Sequence, residues 1–313
     1  MDWRLGKWGT LAVAAALIAL ALVLASRWAI ANHGPALLDW IDRQSGGNRG
    51  YRIALADAHY GADPQQRIEV IVPETPAAQP WPVVVFIHGG GWNSGDPRDY
   101  RFVGRQLARH GYLVVNAGYR LGPAGRYPAM LEDSAAALTW VQANVARFGG
   151  DTGGVCLMGH SAGAYNVAML GLERQWLGRQ ALPEGFVRGM IGLSGPYDFF
   201  PFTSDSAHNA FGHVEPASIT QPISFVRGDA PPMLLITGDA DETVKPRNTA
   251  ALAKALAALT HPATVVLLPG MGHNDPIKLL AAPFNRDTRV IDPVLDFLDA
   301  HCRSSAPVQA ANR

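Results

Sequence analysis

Gly159-His160-Ser161-Ala162-Gly163 follows directly on the apolar run Val155-Cys156-Leu157-Met158. A strand that ends in a sharp turn into a helix lifts a serine hydroxyl clear of the backbone, and so tight a turn needs glycine at the flanking positions. Ser161 is therefore the predicted nucleophile, with Gly159 and Gly163 as the residues that make its turn possible. Upstream, the apolar run Trp81–Ile87 ends at His88-Gly89-Gly90-Gly91-Trp92. Acyl transfer needs backbone N–H groups aimed at the oxygen that becomes negative, and glycines let that backbone come close. The predicted donors are the N–H groups of Gly90, Gly91 and Ala162. A phosphate-binding loop is excluded at this place, because Gly89 and Gly91 are followed by Ser94 where a third glycine is required, and no Gly-Lys-Ser/Thr follows.

Two more apolar runs end in polar turns. Met233–Ile236 leads into Thr237-Gly238-Asp239-Ala240-Asp241, where both aspartates compete for the role of triad acid. Thr264–Leu268 leads into Pro269-Gly270-Met271-Gly272-His273, which makes His273 the predicted base. An acid at the carboxyl end of a parallel strand points into the crevice where open α/β folds hold their ligands. Asp198, after the run Gly189–Leu193, is a third possible acid.

Taken in chain order, serine, acid and histidine follow the α/β-hydrolase order and not that of chymotrypsin or subtilisin. From about residue 50 to residue 300 the chain resembles the α/β-hydrolases, and within them the esterase branch that carries His-Gly-Gly-Gly, including the hormone-sensitive-lipase-like carboxylesterases. Gly238-Asp239-Ala240-Asp241 matches the family's Gly-x-x-Asp turn, so the resemblance implies Asp241 as the acid and Asp239 as the runner-up. His160 stands where many members of that branch have aspartate. The pairing of the two motifs is also similar to kynurenine formamidases and isoprenylcysteine methylesterases, so the substrate stays open between a small or medium acyl ester, a formamide and a prenylated methyl ester.

The implied chemistry is attack by Ser161 with His273 as general base, Asp241 orienting the imidazole, and an acyl-enzyme released by water. No cofactor and no metal are expected, since the histidines lack zinc-type spacing. His88 is expected to prop the glycine loop, His160 to shape the nucleophile turn, and His208 and His213 to lie in a surface loop. Glu132 and Asp133 open a helix-like segment and are expected to face solvent at its N-terminus.

With 313 residues, 48% of them hydrophobic, the chain can bury one large core. Its 26 basic and 26 acidic residues balance, which leaves no electrostatic footprint for nucleic acid. Cys156 and Cys302 read as a buried thiol and a tail thiol, not as a disulfide framework. Nothing in the sequence speaks to oligomeric state.

Alternating strands and helices predict an α/β fold: a mostly parallel central sheet with helices on both faces. Arg67–Pro73 alternates as a half-exposed antiparallel edge strand. Helices are expected over Asp133–Phe148 and Ala162–Leu172, and the catalytic domain over 51–303. Within it, 199–228 is irregular and aromatic, the expected cap or pocket wall. Trp8–Ser26 is nineteen residues without a charge, about 28 Å as a helix, and predicts a transmembrane anchor within residues 1–34. Arg4 and Lys7 favour a cytoplasmic N-terminus and a catalytic domain on the far side. The alternative is secretion after cleavage near Ala31. Residues 35–50 are expected as a linker with a short amphipathic helix, and 304–313 as a flexible tail.

Overall fold

Trp81–Ile87, a run without a charge, forms a strand buried along its whole length, as expected where helices cover both faces of a sheet. The computed structural model describes residues 7–303. It contains eight strands: β1 (Tyr51–His59), β2 (Arg67–Pro73), β3 (Trp81–Ile87), β4 (Leu113–Ala117), β5 (Gly150–His160), β6 (Val187–Leu193), β7 (Met233–Gly238) and β8 (Thr264–Leu268). They form one sheet in the order β1-β2-β4-β3-β5-β6-β7-β8. β2 runs antiparallel to both β1 and β4, and every other neighbouring pair is parallel. This is the mostly parallel α/β sheet that the alternation of elements predicts.

β2 is not an edge strand. It pairs on both sides and is buried beyond Arg67, because β1 takes the edge and Arg101 compensates its one acid, donating to the Glu69 carboxylate at 2.6 Å. The helices are α1 (Lys7–Gln44), α2 (Arg101–Arg109), α3 (Ala129–Asn144), α4 (Ala162–Leu172), α5 (Gln175–Arg179), α6 (Asp205–Phe211), α7 (Arg247–Ala257), α8 (Asp275–Lys278) and α9 (Ile291–His301). Successive side chains of a strand point to opposite faces. Accordingly Val83 and Val85 pack in one core cluster with residues of α3 and α4, while Val84 and Phe86 pack in a second with residues of α2 and α9. Helix α3 begins four residues earlier than expected, and Asp133 is buried, not solvated. Its carboxylate accepts from Arg120 Nη2 at 2.7 Å and from Gln66 at 2.8 Å, and these bonds offset its desolvation.

At the N-terminus the expected anchor and the expected linker helix are one element, α1, which runs on through Pro35 to Gln44. Its last turns are no linker. Asp39 and Asp42 are buried, and Arg105 of α2, 1% exposed, donates to both carboxylates at 2.6 Å and 2.8 Å. Asp42 also accepts the N–H of Ala282 at 2.7 Å. Among the described residues no helix is long and apolar enough to cross a membrane, so the expected transmembrane helix finds no support in them. The stretch Trp8–Ser26 falls only partly among residues whose side chains are described, and Arg4, Ala31 and the tail 304–313 are outside them.

The cysteines correct a second expectation, since Cys156 of β5 and Cys302, just after α9, form a disulfide. Their 146-residue separation hides a close approach: α9 packs on β6, beside β5, and brings the two residues within one core cluster.

Candidate active site

Ser161 sits between the end of β5 and the first turn of α4 with φ 54° and ψ −119°, a backbone state that costs a non-glycine residue about 1–3 kcal/mol. Its neighbours hold it there. The Ser161 N–H donates to Leu193 O of β6 at 2.8 Å. α4 also starts so close to β3 that a Cβ on Gly163 would lie 2.0 Å from Ile87 O, and one on Gly159 would lie 2.4 Å from the Gly163 carbonyl carbon. Glycine at both positions is thus a steric requirement of the turn.

The Ser161 hydroxyl lies 2.8 Å from His273 Nε2, and His273 Nδ1 lies 2.8 Å from Asp241 Oδ2. Asp241 is buried, and its other oxygen accepts the N–H groups of Thr243 and Val244 at 2.9 and 2.8 Å. Its carboxylate is therefore fixed in direction. Asp239 lies in the same turn but is exposed, and it accepts the N–H of Gly270 at 2.6 Å, which ties the β7 turn to the loop that carries His273. The Asp198 backbone N–H donates to Asn248 Oδ1 at 2.9 Å. Of the three sequence-predicted acids, the structure joins Asp241 to the histidine.

The glycine loop after β3 faces the same place. Gly90 has φ +118°, and a Cβ there would lie 2.0 Å from Ser94 O; its own carbonyl accepts from the N–H groups of Asn93 and Ser94. Ala162 is the first residue of α4, where a helix N–H has no partner within the helix. Gly90, Gly91, Ala162, Ser161 and His273 all line one cavity of about 810 Å³.

His88 and His160 are both buried and both serve the backbone. The His88 Nδ1–H donates to Gly89 O at 2.7 Å, its ring stacks on Tyr119 at 4.7 Å, and the Tyr119 hydroxyl donates to His88 O at 3.1 Å. Burial pulls the His88 pKa down. The His160 Nε2–H donates to His273 O at 3.3 Å; burial first, then the neighbouring His273, lower its pKa to about 3. His208 is exposed, and His213 donates to Tyr127 O at 2.9 Å, so neither belongs to the site. Among the described residues no group of three or more His, Cys, Asp or Glu is placed to hold a metal.

Two further segments wall the cavity. The 199–228 segment supplies Phe199, Ser204 and Ser206, while Phe211 turns into the core and packs edge-on to Trp92 at 4.8 Å. A second wall comes from α1, through Pro35, Leu37, Leu38 and Ile41. The amphipathic spacing around residues 35–42 was the available signal, but it does not say against what the helix packs.

The family model BD-FAE matches residues 68–256, which takes in the serine turn, the glycine loop and Asp241. Esterase LipC of Mycobacterium tuberculosis (strain ATCC 25618 / H37Rv) is 30% identical over 234 residues, 68% of this chain and 58% of that protein. The probable isoprenylcysteine alpha-carbonyl methylesterase ICMEL2 of Arabidopsis thaliana is 28% identical, over 69% of this chain and 56% of that protein. The chain thus spans a little over half the length of these curated relatives. In solved structures, esterase B from Lactobacillus Rhamnosis (HN001) superposes with a TM-score of 0.71 at 23% identity, covering 90% of this chain and 93% of that one, which is a likeness of fold.

Proposed function

We propose, from the premise that the chain belongs to the BD-FAE family and so to the α/β-hydrolase esterases, that it is a serine carboxylic-ester hydrolase working through an acyl-enzyme. The observation that carries this reading is the relay from Ser161 through His273 to Asp241, with both links at 2.8 Å, opening on a cavity lined by Gly90 and Gly91. Ser161 Oγ attacks the ester carbonyl carbon and gives its proton to His273 Nε2, while Asp241 holds the Nδ1–H and stabilises the imidazolium. The N–H groups of Gly90, Gly91 and Ala162 take the oxyanion, a contribution of about 3–4 kcal/mol for each donor of this kind. The intermediate collapses as the C–O bond breaks, and the leaving alkoxide takes the proton from His273. Water, deprotonated by His273, then attacks the acyl carbonyl, and Ser161 leaves with the proton as the acid is freed.

The same reading places the enzyme outside the cytoplasm, held by the apolar stretch Trp8–Ser26. Arg4 and Lys7 ahead of that stretch support the orientation. The Cys156–Cys302 disulfide supports it independently, because such bonds persist in oxidising compartments.

Hydrolysis of p-nitrophenyl butyrate tests the enzyme reading, with Ser161→Ala as the blank and circular dichroism to show that it folds. Turnover in the parent and loss in the variant are expected. Turnover that persists in Ser161→Ala would sink it, and faster Ser161-dependent cleavage of N-formylkynurenine than of the ester would move the assignment to amide hydrolysis.

A further inference from the structure

We propose that the ester carries a long hydrocarbon chain, and that this chain lies along the face of α1 made by Gly34, Leu37, Leu38 and Ile41; the proposal rests on the ester-hydrolase reading above. These four positions are spaced i, i+3, i+4 and i+7, a single stripe of an α-helix. All four line the cavity that holds Ser161 and His273. Every residue that α1 gives to this cavity is apolar, Pro35 being the fifth, and all five are half-buried, so protein covers the stripe only in part. Phe102, Ile277 and Phe284 add apolar surface to the same cavity.

The wall is held in place by its other side. Asp39 and Asp42 are buried against Arg105, and Asp42 is tied to the Ala282 N–H. Burying a guanidinium with two carboxylates carries a large desolvation cost, which their close pairing offsets, and that pairing fixes the helix end at the cavity. Here the ionic clamp holds the helix together with Leu38, which also packs on the core, and the side of the stripe that faces the cavity is left for an occupant. A methyl or acetyl group would leave most of the 810 Å³ cavity to water. A chain reaching the stripe gains about fourfold in kcat/KM for each methylene buried. The hydrocarbon can belong to the acyl or to the alcohol part of the ester, since the chemistry that recognises it is the same.

The experiment measures kcat/KM of the full chain in mild detergent on two series: p-nitrophenyl esters from acetate to decanoate, and alkyl acetates from methyl to decyl. A rise of at least tenfold along one series is expected, and which series rises says which part of the ester holds the chain. Leu37→Trp and Ile41→Trp, which fill the space beside the stripe, are expected to cut the long-to-short ratio by tenfold or more. Phe284→Asp, at a half-exposed position that a charge can occupy without unfolding the domain, is expected to lower the same ratio. Flat profiles in both series with activity that still depends on Ser161 would overturn the proposal alone, as they would if a bilayer rather than substrate covers the stripe. An unchanged ratio in all three variants would overturn it as well. Absence of Ser161-dependent turnover at every length would sink the hydrolase reading and this proposal with it.

Discussion

Arg105→Met should release the end of α1 from the domain. Arg105 is 1% exposed and lies within 2.6 Å of both the Asp39 and the Asp42 carboxylates, so its removal leaves two buried acids without their cation. Breaking a buried ion pair from one side costs about 3–5 kcal/mol, because the remaining charge is stranded. At about 2–4 °C per kcal/mol for a domain of this size, the midpoint of thermal unfolding should fall by roughly 6–20 °C. The loss should shrink as the pH is lowered. Burial already raises the Asp39 pKa, with Arg105 the main influence in the other direction, so without the arginine Asp39 takes up a proton more readily and the stranded charge disappears. Calorimetry at pH 7 and pH 5 measures both effects. The combined variant Arg105→Met, Asp39→Leu, Asp42→Asn removes the charges together and keeps an acceptor for the Ala282 N–H; it should recover at least half the loss. A midpoint lowered by less than 2 °C in Arg105→Met would refute the clamp. A combined variant as unstable as the single one would assign the loss to the packing of the arginine stem.

Four further outcomes are expected. Asp241→Asn should lower kcat/KM by about 10⁴-fold by leaving His273 in the wrong tautomer, whereas Asp239→Ala, which loses one exposed hydrogen bond to Gly270, should cost no more than about tenfold; equal losses in steady-state kinetics would reverse the assignment of the acid. His160 has its pKa lowered from 6.5 to about 3, so its contribution to stability is full above pH 6.5 and is lost as the pH falls toward 3; from pH 7 to pH 5 the unfolded chain gains a proton that the native one does not, about 2 kcal/mol, and urea titrations of His160→Gln should lack that part of the decline. Cys302→Ser, which opens a loop of 146 residues, should cost up to about 5 kcal/mol on the chain-entropy account, and a melting point indifferent to both the variant and a reductant would remove the disulfide from the stability of the fold. Gly163→Ala puts a methyl 2.0 Å from Ile87 O and should push α4 off β3, lowering stability by about 1–3 kcal/mol or more together with kcat; native activity in this variant would contradict the steric account of the turn.

The residues brought together at Ser161 are those whose positions depend on local rules. A serine between glycines after an apolar strand, a glycine loop after another, and two polar turns after two more strands are each readable within a dozen residues. The parallel sheet then gathers them, because β3, β5 and β7 all present their carboxyl ends to one side. The choice between Asp239 and Asp241 is local too, but it lies in the turn's geometry: the N–H groups of Thr243 and Val244 point at Asp241, and that of Gly270 at Asp239. Only the resemblance to a family's turn could anticipate this, since the two residues are of one type and two positions apart.

What the sequence leaves unread is decided by partners far along the chain. Asp133 looks like an N-terminal helix acid on a wet face until Arg120 and Gln66 close over it. Two cysteines 146 residues apart carry no pairing signal, yet the packing of α9 on β6 places them within bonding distance. Pro35–Asp42 shows its amphipathic spacing plainly, but which of its faces is inside cannot be read from periodicity. A pattern of period 3.6 marks an apolar stripe and assumes that the stripe faces the core. In α1 the assumption holds only for Leu38, which packs on the core; Arg105, 63 residues beyond Asp42, holds the helix by its acids, and the stripe lines the catalytic cavity. An arginine on α2 with no acid at helical spacing on its own element was the one trace of this in the sequence, and its partners lay in a short amphipathic segment more than sixty residues earlier.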